Sequence, residues 1–185
     1  WDIRGKALGQ PIWRLLGGAR ETCPVYTTFG FGYYDTGELP AAAEAWRKRG
    51  FSRLKMTVGT SALQRRDEPR RLSDVILEDV TRVAAVREAA GGDAELFIDA
   101  NCSLDYFHAV ELAGALAPYH ISFFEEPITQ NDVRQMAELR RQTGMRVACG
   151  QNEGQSYRFR DMLVAGAVDI IQPNVVITGG FTQCQ

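Results

Sequence analysis

The stretch HISFFEEPIT, residues 120–129, carries an apolar run of Ile121, Phe123 and Phe124 straight into two adjacent carboxylates, Glu125 and Glu126, and then into Pro127. A short apolar run bounded in this way reads as a buried strand, and the proline behind it fixes the exit of the chain. A strand that ends in carboxylates holds them at the rim of a sheet. Working outward, similar runs rich in β-branched and aromatic residues stand at 24–30 (PVYTTFG), 52–58 (SRLKMTV), 95–100 (ELFIDA), 146–149 (RVAC) and 168–172 (VDIIQ), so with 121–125 six strands are expected.

Segments of helical period separate these strands. The clearest is 72–90, where Ile76, Val80, Val83 and Ala90 form an apolar stripe that Gly91-Gly92 ends. Others span 38–49, 105–116, 131–142 and 156–165, with Pro118, Gly144 and Gly166 as stop signals. Strand and helix in strict alternation predict an α/β fold of βα units on a parallel sheet. Ahead of them, WDIRGKALGQPIWRLLGG (1–18) reads as a short helix, a Gly-Gln-Pro turn and a further helical turn, the tail of something larger. The polar segment 59–71, GTSALQRRDEPRR, has no sustained period and is expected to be a mobile loop.

The bulk composition narrows the partners. The 185 residues, 45% hydrophobic, suffice for one domain with a sizeable core. Lys+Arg 21 against Asp+Glu 23 gives a net charge of -2 with the basic residues scattered, which argues against nucleic acid and anionic membrane as partners. No apolar run approaches the roughly 20 residues that span a bilayer, and the start lacks the apolar core of a signal peptide, so a cytoplasmic protein is expected. Cys23, Cys102, Cys149 and Cys184 form no CxxC pair and read as free thiols in a reducing compartment.

In a parallel βα fold, ligands bind at the carboxyl ends of the strands. The polar residues expected there are Lys55, Thr57, Asp99, Asn101, Glu125, Gln151 and Asn174. Lys55/Thr57 and Asp99/Asn101 are each two apart, which in a strand places both side chains on one face. Asp99, Glu125 and Gln151 recur at a spacing of 26 residues, about one βα unit, so adjacent strands would bring them together. Three oxygen donors on neighbouring strands suit a hard divalent cation such as Mg²⁺. Taken singly, each is more often something plainer: a carboxylate after a strand is usually a turn or cap residue, and an amide often satisfies a loop backbone. The joint spacing, with Lys55 set between apolar Leu54 and Met56, carries the functional reading. Glu126 faces the opposite way and is expected to pair with a basic neighbour. His108 and His120 read as structural or surface residues, Gly179-Gly180 as an anion-binding helix start or equally a tight turn, and Cys149 as no nucleophile, since no histidine is at hand to activate it.

These landmarks resemble the enolase superfamily, in its mandelate racemase/muconate lactonizing enzyme branch. WDIRGKALGQPIWRLLGG, GFSRLKMTVG, LFIDANCS, FFEEPI and VDIIQPNVVITGG match that family's motifs in order over nearly the whole chain. The resemblance implies a TIM-like (β/α)7β barrel preceded by an α+β capping domain. Residues 1–20 would be the capping domain's tail and linker, and 21–185 a partial barrel of about six βα units. A whole barrel of this kind needs about 250 residues, so the chain is expected to be part of a longer polypeptide.

By the same resemblance Asp99 and Glu125 match the first two carboxylate ligands of Mg²⁺, and Asn101 matches the asparagine of the DAN motif. Three positions depart. Lys55 is followed by Thr57 where the family's second lysine serves as base. Gln151 replaces the third metal carboxylate, with Glu153 nearby; in the glucarate dehydratase group an asparagine serves there. Asn174 replaces an aspartate that often pairs with a histidine on strand seven. Threonine cannot act as a base near neutral pH, and asparagine cannot stabilise an imidazolium, which argues against two-base racemisation.

The implied function is Mg²⁺-dependent removal of an α-proton from a small carboxylic acid through a metal-stabilised enediolate, first of all dehydration of an acid sugar, with epimerisation, racemisation or cycloisomerisation as other outcomes. Lys55 and Asn174 would be catalytic, Thr57 and Asn101 substrate-binding, and Asp99, Glu125 and Gln151 metal ligands, in a homo-oligomer. The alternative is a catalytically silent relative that binds a ligand or serves assembly, a reading that Thr57, Gln151 and Asn174 favour.

Overall fold

The computed structural model describes residues 1–35, 37–60, 62 and 69–185. Its six strands, β1 (Thr27–Phe29), β2 (Arg53–Thr57), β3 (Glu95–Asp99), β4 (Ile121–Glu125), β5 (Val147–Cys149) and β6 (Ile170–Ile171), form one sheet in sequence order. Every neighbouring pair is parallel. A parallel neighbour that is also next in sequence requires a crossover, and helices supply each one. These are α3 (Glu38–Lys48), α4 (Leu72–Ala90), α5 (Tyr106–Ala115), α6 (Val133–Thr143) and α7 (Ser156–Val164), preceded by α1 (Asp2–Leu8) and α2 (Ile12–Leu15) and followed by α8 (Val175–Thr178) and α9 (Phe181–Cys184). The strands and principal helices lie where the sequence pattern puts them. Most of the expected loop at 59–71 falls outside the described residues.

Local chemistry sets the helix ends. The Asp105 carboxylate accepts the His108 N–H to start α5, and Asp132 accepts from Arg134 and Gln135 to start α6. Gly144, at φ 68°, closes α6 in the left-handed conformation.

Alternation along the strands divides the sheet into two faces. Leu54, Met56, Leu96, Ile98, Phe124, Val147 and Cys149 turn toward the helices and pack with Leu39, Ile76, Val83, Leu112, Met136 and Met162 into the main core. The other face carries Lys55 and Thr57, Phe97 and Asp99, Phe123 and Glu125. Phe97 and Phe123 stack with ring centroids 4.2 Å apart and planes 8° from parallel, and with Ala148 they make a second apolar cluster. Each phenylalanine stands two residues before a carboxylate, so the polar rim rests on an aromatic floor held by the same strands. Register fixes the rim, with Thr57 opposite Asp99, Asp99 opposite Glu125, and Glu125 opposite Ala148.

Behind the rim, the Arg82 guanidinium donates to the carbonyls of Thr57 (3.0 Å) and Gly30 (2.7 Å), tying α4 to the ends of β1 and β2. Gly150, just past β5, has φ 128°, and a Cβ there would lie 2.5 Å from Phe159 Cε1. Backbone strain and overpacking therefore act together on Gly150→Ala. The expected loss is about 2–4 kcal/mol, measured as a lower midpoint in urea unfolding at unchanged slope.

Candidate functional site

Three charged side chains from three consecutive strands meet at the carboxyl rim. Lys55 Nζ lies 2.7 Å from Glu125 Oε2 and 3.0 Å from Asp99 Oδ2, with side-chain exposures of 7% for the lysine and 5% and 1% for Asp99 and Glu125. The ammonium also sits 5.2 Å from the centroid of the Tyr26 ring, a cation–π contact that supports the charged form. The second oxygen of Asp99 accepts the Asn101 N–H at 2.9 Å.

Burial alone would lower the Lys55 pKa. The hydrogen bond to Glu125 and the charges of Asp99 and Glu125 outweigh it and hold the ammonium above the ordinary lysine range. In this arrangement two carboxylates clamp Lys55 as a cation. For Glu125, burial and the neighbouring Asp99 charge push the carboxyl up, against the stabilising contacts of Lys55 and Gln172. With both carboxylates ionised, one ammonium faces two negative charges, and the surplus negative charge suits an added cation.

Glu126 turns away from this group and is fully buried, with φ 41°. Its partners are amides: Asn152 Nδ2 at 2.8 Å, Gln151 Nε2 at 3.2 Å and Asn131 Nδ2 at 3.4 Å. The expected basic partner is thus replaced by three amide donors. The nearby arginine, Arg158, pairs instead with Glu153 at 2.8 Å, and Asn131 Nδ2 also reaches Glu153 Oε1 at 3.0 Å. A carboxylate only accepts, so the Gln151 amide nitrogen must face Glu126, and its Oε1 is the end left for another partner.

The other expected site residues divide. Thr57 is buried, and its hydroxyl donates to the Gly30 carbonyl at 2.9 Å, a commitment to the β1–β2 connection. Asn101 is exposed, and with Thr57, Phe31 and Tyr33 it lines a cleft of ≈ 420 Å³. Asn174 caps α8, its side-chain oxygen accepting the Val176 N–H at 3.0 Å, so the structure gives it a backbone task rather than a place beside Lys55. His108 shares Asp105 at the start of α5, and His120 lies in the left-handed turn before β4. The Gly179-Gly180 pair joins two four-residue helices. All four thiols are unpaired, and burial pushes the Cys102 thiol up to about 12 and Cys149 higher still, which removes both as nucleophiles near neutral pH.

Sequence reasoning missed Gln172. Its N–H bonds the Cys149 carbonyl at 2.9 Å, its side chain favours the charged form of Glu125, and its Oε1 is the one buried side-chain polar atom without a partner among the described residues. The available signal was its position directly behind the Ile170–Ile171 strand. Among the described residues no three His, Cys, Asp or Glu side chains are grouped to hold a metal. The donor set that fits a hard cation is instead Asp99 and Glu125 with carboxamide oxygens.

A family model described as "Enolase C-terminal domain-like" matches residues 38–185. The chain belongs to the enolase superfamily. Within it the chain is a member of the mandelate racemase/muconate lactonizing enzyme family, as the motifs implied. It is 34% identical to a 3,6-anhydro-α-L-galactonate cycloisomerase of Streptomyces coelicolor over 98% of this chain and 47% of that protein. It is 32% identical to a D-galactonate dehydratase of Klebsiella pneumoniae over 100% of this chain and 47% of that protein. The crystal structure of a racemase from Streptomyces coelicolor with bound magnesium superposes with a TM-score of 0.87 at 32% identity, covering 100% of this chain and 48% of that one. This enolase-superfamily chain therefore spans about half the length of the curated relatives it matches, and its parallel βα sheet corresponds to part of their TIM-barrel domain.

Lys55→Met tests the electrostatic account. Removing the ammonium strands two buried carboxylates and is expected to cost about 3–5 kcal/mol at pH 7 in cation-free buffer. The sign with pH follows from Glu125: its folded pKa lies above the ordinary 4.5, so its contribution is fully present below 4.5 and is lost as pH rises through the folded value. The gap between Lys55→Met and wild type should accordingly narrow on acidification toward pH 4.5, measured by urea unfolding at several pH values.

Proposed function

We propose that this chain is the metal-bearing part of a Mg²⁺-dependent enzyme that removes the α-proton of an acid sugar, with dehydration as the first assignment and cycloisomerisation or epimerisation as the related outcomes. The observation that carries the reading is the convergence of Asp99 and Glu125 within 3.0 Å of Lys55 Nζ on one rim, in a family whose members include enzymes named for galactonates and a structure with bound magnesium. Residues 1–20 would be the tail of a capping domain, residues 21–185 the first βα units of the barrel, and the remaining groups would come from the rest of a longer cytoplasmic polypeptide. Among the described residues no helix is long and apolar enough to cross a membrane.

Asp99, Glu125 and Gln151 Oε1 would hold the cation, which when bound supplies Lewis-acid charge to the substrate carboxylate. Gln151 meets that role through Glu126, which fixes its amide nitrogen. Lys55 would act at Nζ as a charged N–H donor beside the carboxylate that gains negative charge as the α-proton passes to a base supplied by the rest of the longer polypeptide. Asn101 and Thr57, on the ≈ 420 Å³ cleft, would bind the polyol part of the acid, Thr57 mainly by shape because its hydroxyl is engaged. Asn174 is left out of proton transfer because its oxygen caps a helix. The tight clamp on Lys55 and the committed Thr57 and Asn174 also favour a second reading, a family member that binds an acid sugar without turnover.

The discriminating experiment incubates the full-length polypeptide with Mg²⁺ and a set of aldonates, D-galactonate included, in D₂O. Enzymatic activity gives α-deuterium or a 2-keto-3-deoxy product, and Asp99→Asn lowers kcat/KM by about a thousandfold. Tight binding of an aldonate with neither exchange nor product would establish the second reading.

Gln151→Glu supplies an independent check of the cation assignment. The added carboxylate should raise Mn²⁺ affinity by about tenfold or more. It should also lower cation-free stability by about 1–2 kcal/mol, because the group now faces Glu126, whose oxygen lies 3.2 Å from the present amide nitrogen. Titration calorimetry and thermal unfolding read the two effects separately, and unchanged Mn²⁺ affinity would remove position 151 from the donor set.

A further inference from the structure

Gln172, directly behind the edge strand β6, carries an unexplained feature. Native proteins seldom leave a buried side-chain oxygen without a hydrogen-bond donor, because the lost solvation is worth about 1–3 kcal/mol. Gln172 Oε1 is such an atom, and among the described residues it alone has this status. Its placement is set from both ends. The backbone N–H is fixed on the Cys149 carbonyl at 2.9 Å, and the side chain reaches past β5 toward Glu125, whose charged form it favours. The reach is possible because β5 carries only Ala148 in register with both Glu125 and Ile170. Glu125 bonds the Lys55 ammonium at 2.7 Å, so it acts there as an acceptor. A Gln172 side chain that favours the charged form of Glu125 presents its NH₂ to that carboxylate, which leaves Oε1 over.

We infer that Gln172 is an additional ligand-binding residue of the rim, whose Oε1 accepts a hydrogen bond from an O–H donor of the bound ligand. The inference rests on the functional reading above and extends it to a sixth strand. Two sources share the required chemistry: a hydroxyl of the acid sugar, or a water carried by the cation. Either donor satisfies the orphaned oxygen, while the amide nitrogen keeps Glu125 in place. Gln172 would thus act as an acceptor that favours hydroxylated acids over their deoxy counterparts, since a site built to meet a hydroxyl loses that bond with an analogue that lacks it.

The test uses the full-length polypeptide, wild type and Gln172→Met, which keeps the length of the side chain and removes its polar atoms. Mn²⁺ affinity is measured alone by electron paramagnetic resonance, and D-galactonate affinity at saturating Mg²⁺ by calorimetry. A five- to tenfold loss for galactonate with Mn²⁺ affinity unchanged supports the sugar hydroxyl, as about one hydrogen bond would give. The deoxy-galactonate that lacks the bonded hydroxyl should then bind both proteins equally. A comparable loss of Mn²⁺ affinity without sugar supports the cation's water. Unchanged affinity for both, in a protein whose wild type binds both, overturns the role of Gln172 and leaves the functional reading standing; a wild type that binds neither overturns both. If Gln172→Met fails to fold, a crystal structure of the wild type with Mg²⁺ and galactonate decides. An Oε1 with no O–H donor within hydrogen-bond distance there sinks the inference.

Discussion

The bridge from Lys55 to Asp99 and Glu125 is the constraint on which the rim depends. Three ionisable side chains at 7%, 5% and 1% exposure are tolerable only as a set, because a charge taken from water must find its counterpart within hydrogen-bonding distance. That requirement reaches down into the fold. The three residues hold their spacing only if β2, β3 and β4 keep their register, and the aromatic pair Phe97 and Phe123 beneath them keeps that register rigid. A slip of one residue in any strand would turn a charge into the apolar core on the far side of the sheet.

The same logic explains why the second glutamate of the pair is not redundant. Glu125 and Glu126 are successive residues on opposite sides, each buried, and each has recruited partners suited to its side. Glu125 meets a cation, and Glu126 meets amides. Three carboxamide donors can satisfy a carboxylate without adding charge, so the region behind the rim stays polar but carries no counter-ion that would compete with the rim for its own. Arg158 is kept out of that group by Glu153.

Much of this was legible in the sequence because it follows from periodicity. Strand spacing and the order of polar residues at strand ends placed Lys55, Asp99 and Glu125 on one face, and the helices from α3 to α7 followed from their stripes and stop signals. What could not be read was the orientation of side chains that have several acceptable partners. Thr57 looks free to face a ligand, but the Gly30 carbonyl lies within reach only once β1 is in register with β2. Asn174 looks like a proton-handling residue, yet it stands directly before a helix whose N–H groups need an acceptor. Gln172 looks like an ordinary strand-end amide, and the burial of its Oε1 on the side of Glu125 depends on a residue as small as Ala148 between them.

The replacement of a carboxylate by Gln151 becomes intelligible against this background. A glutamate at 151 would stand beside fully buried Glu126, and two ionised carboxylates at that distance repel unless a cation lies against one of them. The amide turns that repulsion into a hydrogen bond at 3.2 Å and lowers the charge of the rim by one. Gln172 repeats the device one strand further on, with its nitrogen on Glu125 and its oxygen left over. Two amides anchored on two glutamates therefore supply neutral oxygens where more acidic rims would supply charge. Under the proposed function, a divalent cation on such a rim is held less tightly by the protein alone and depends more on the carboxylate of the substrate. Cation and acid then bind as a coupled pair, each raising the affinity for the other by the same factor.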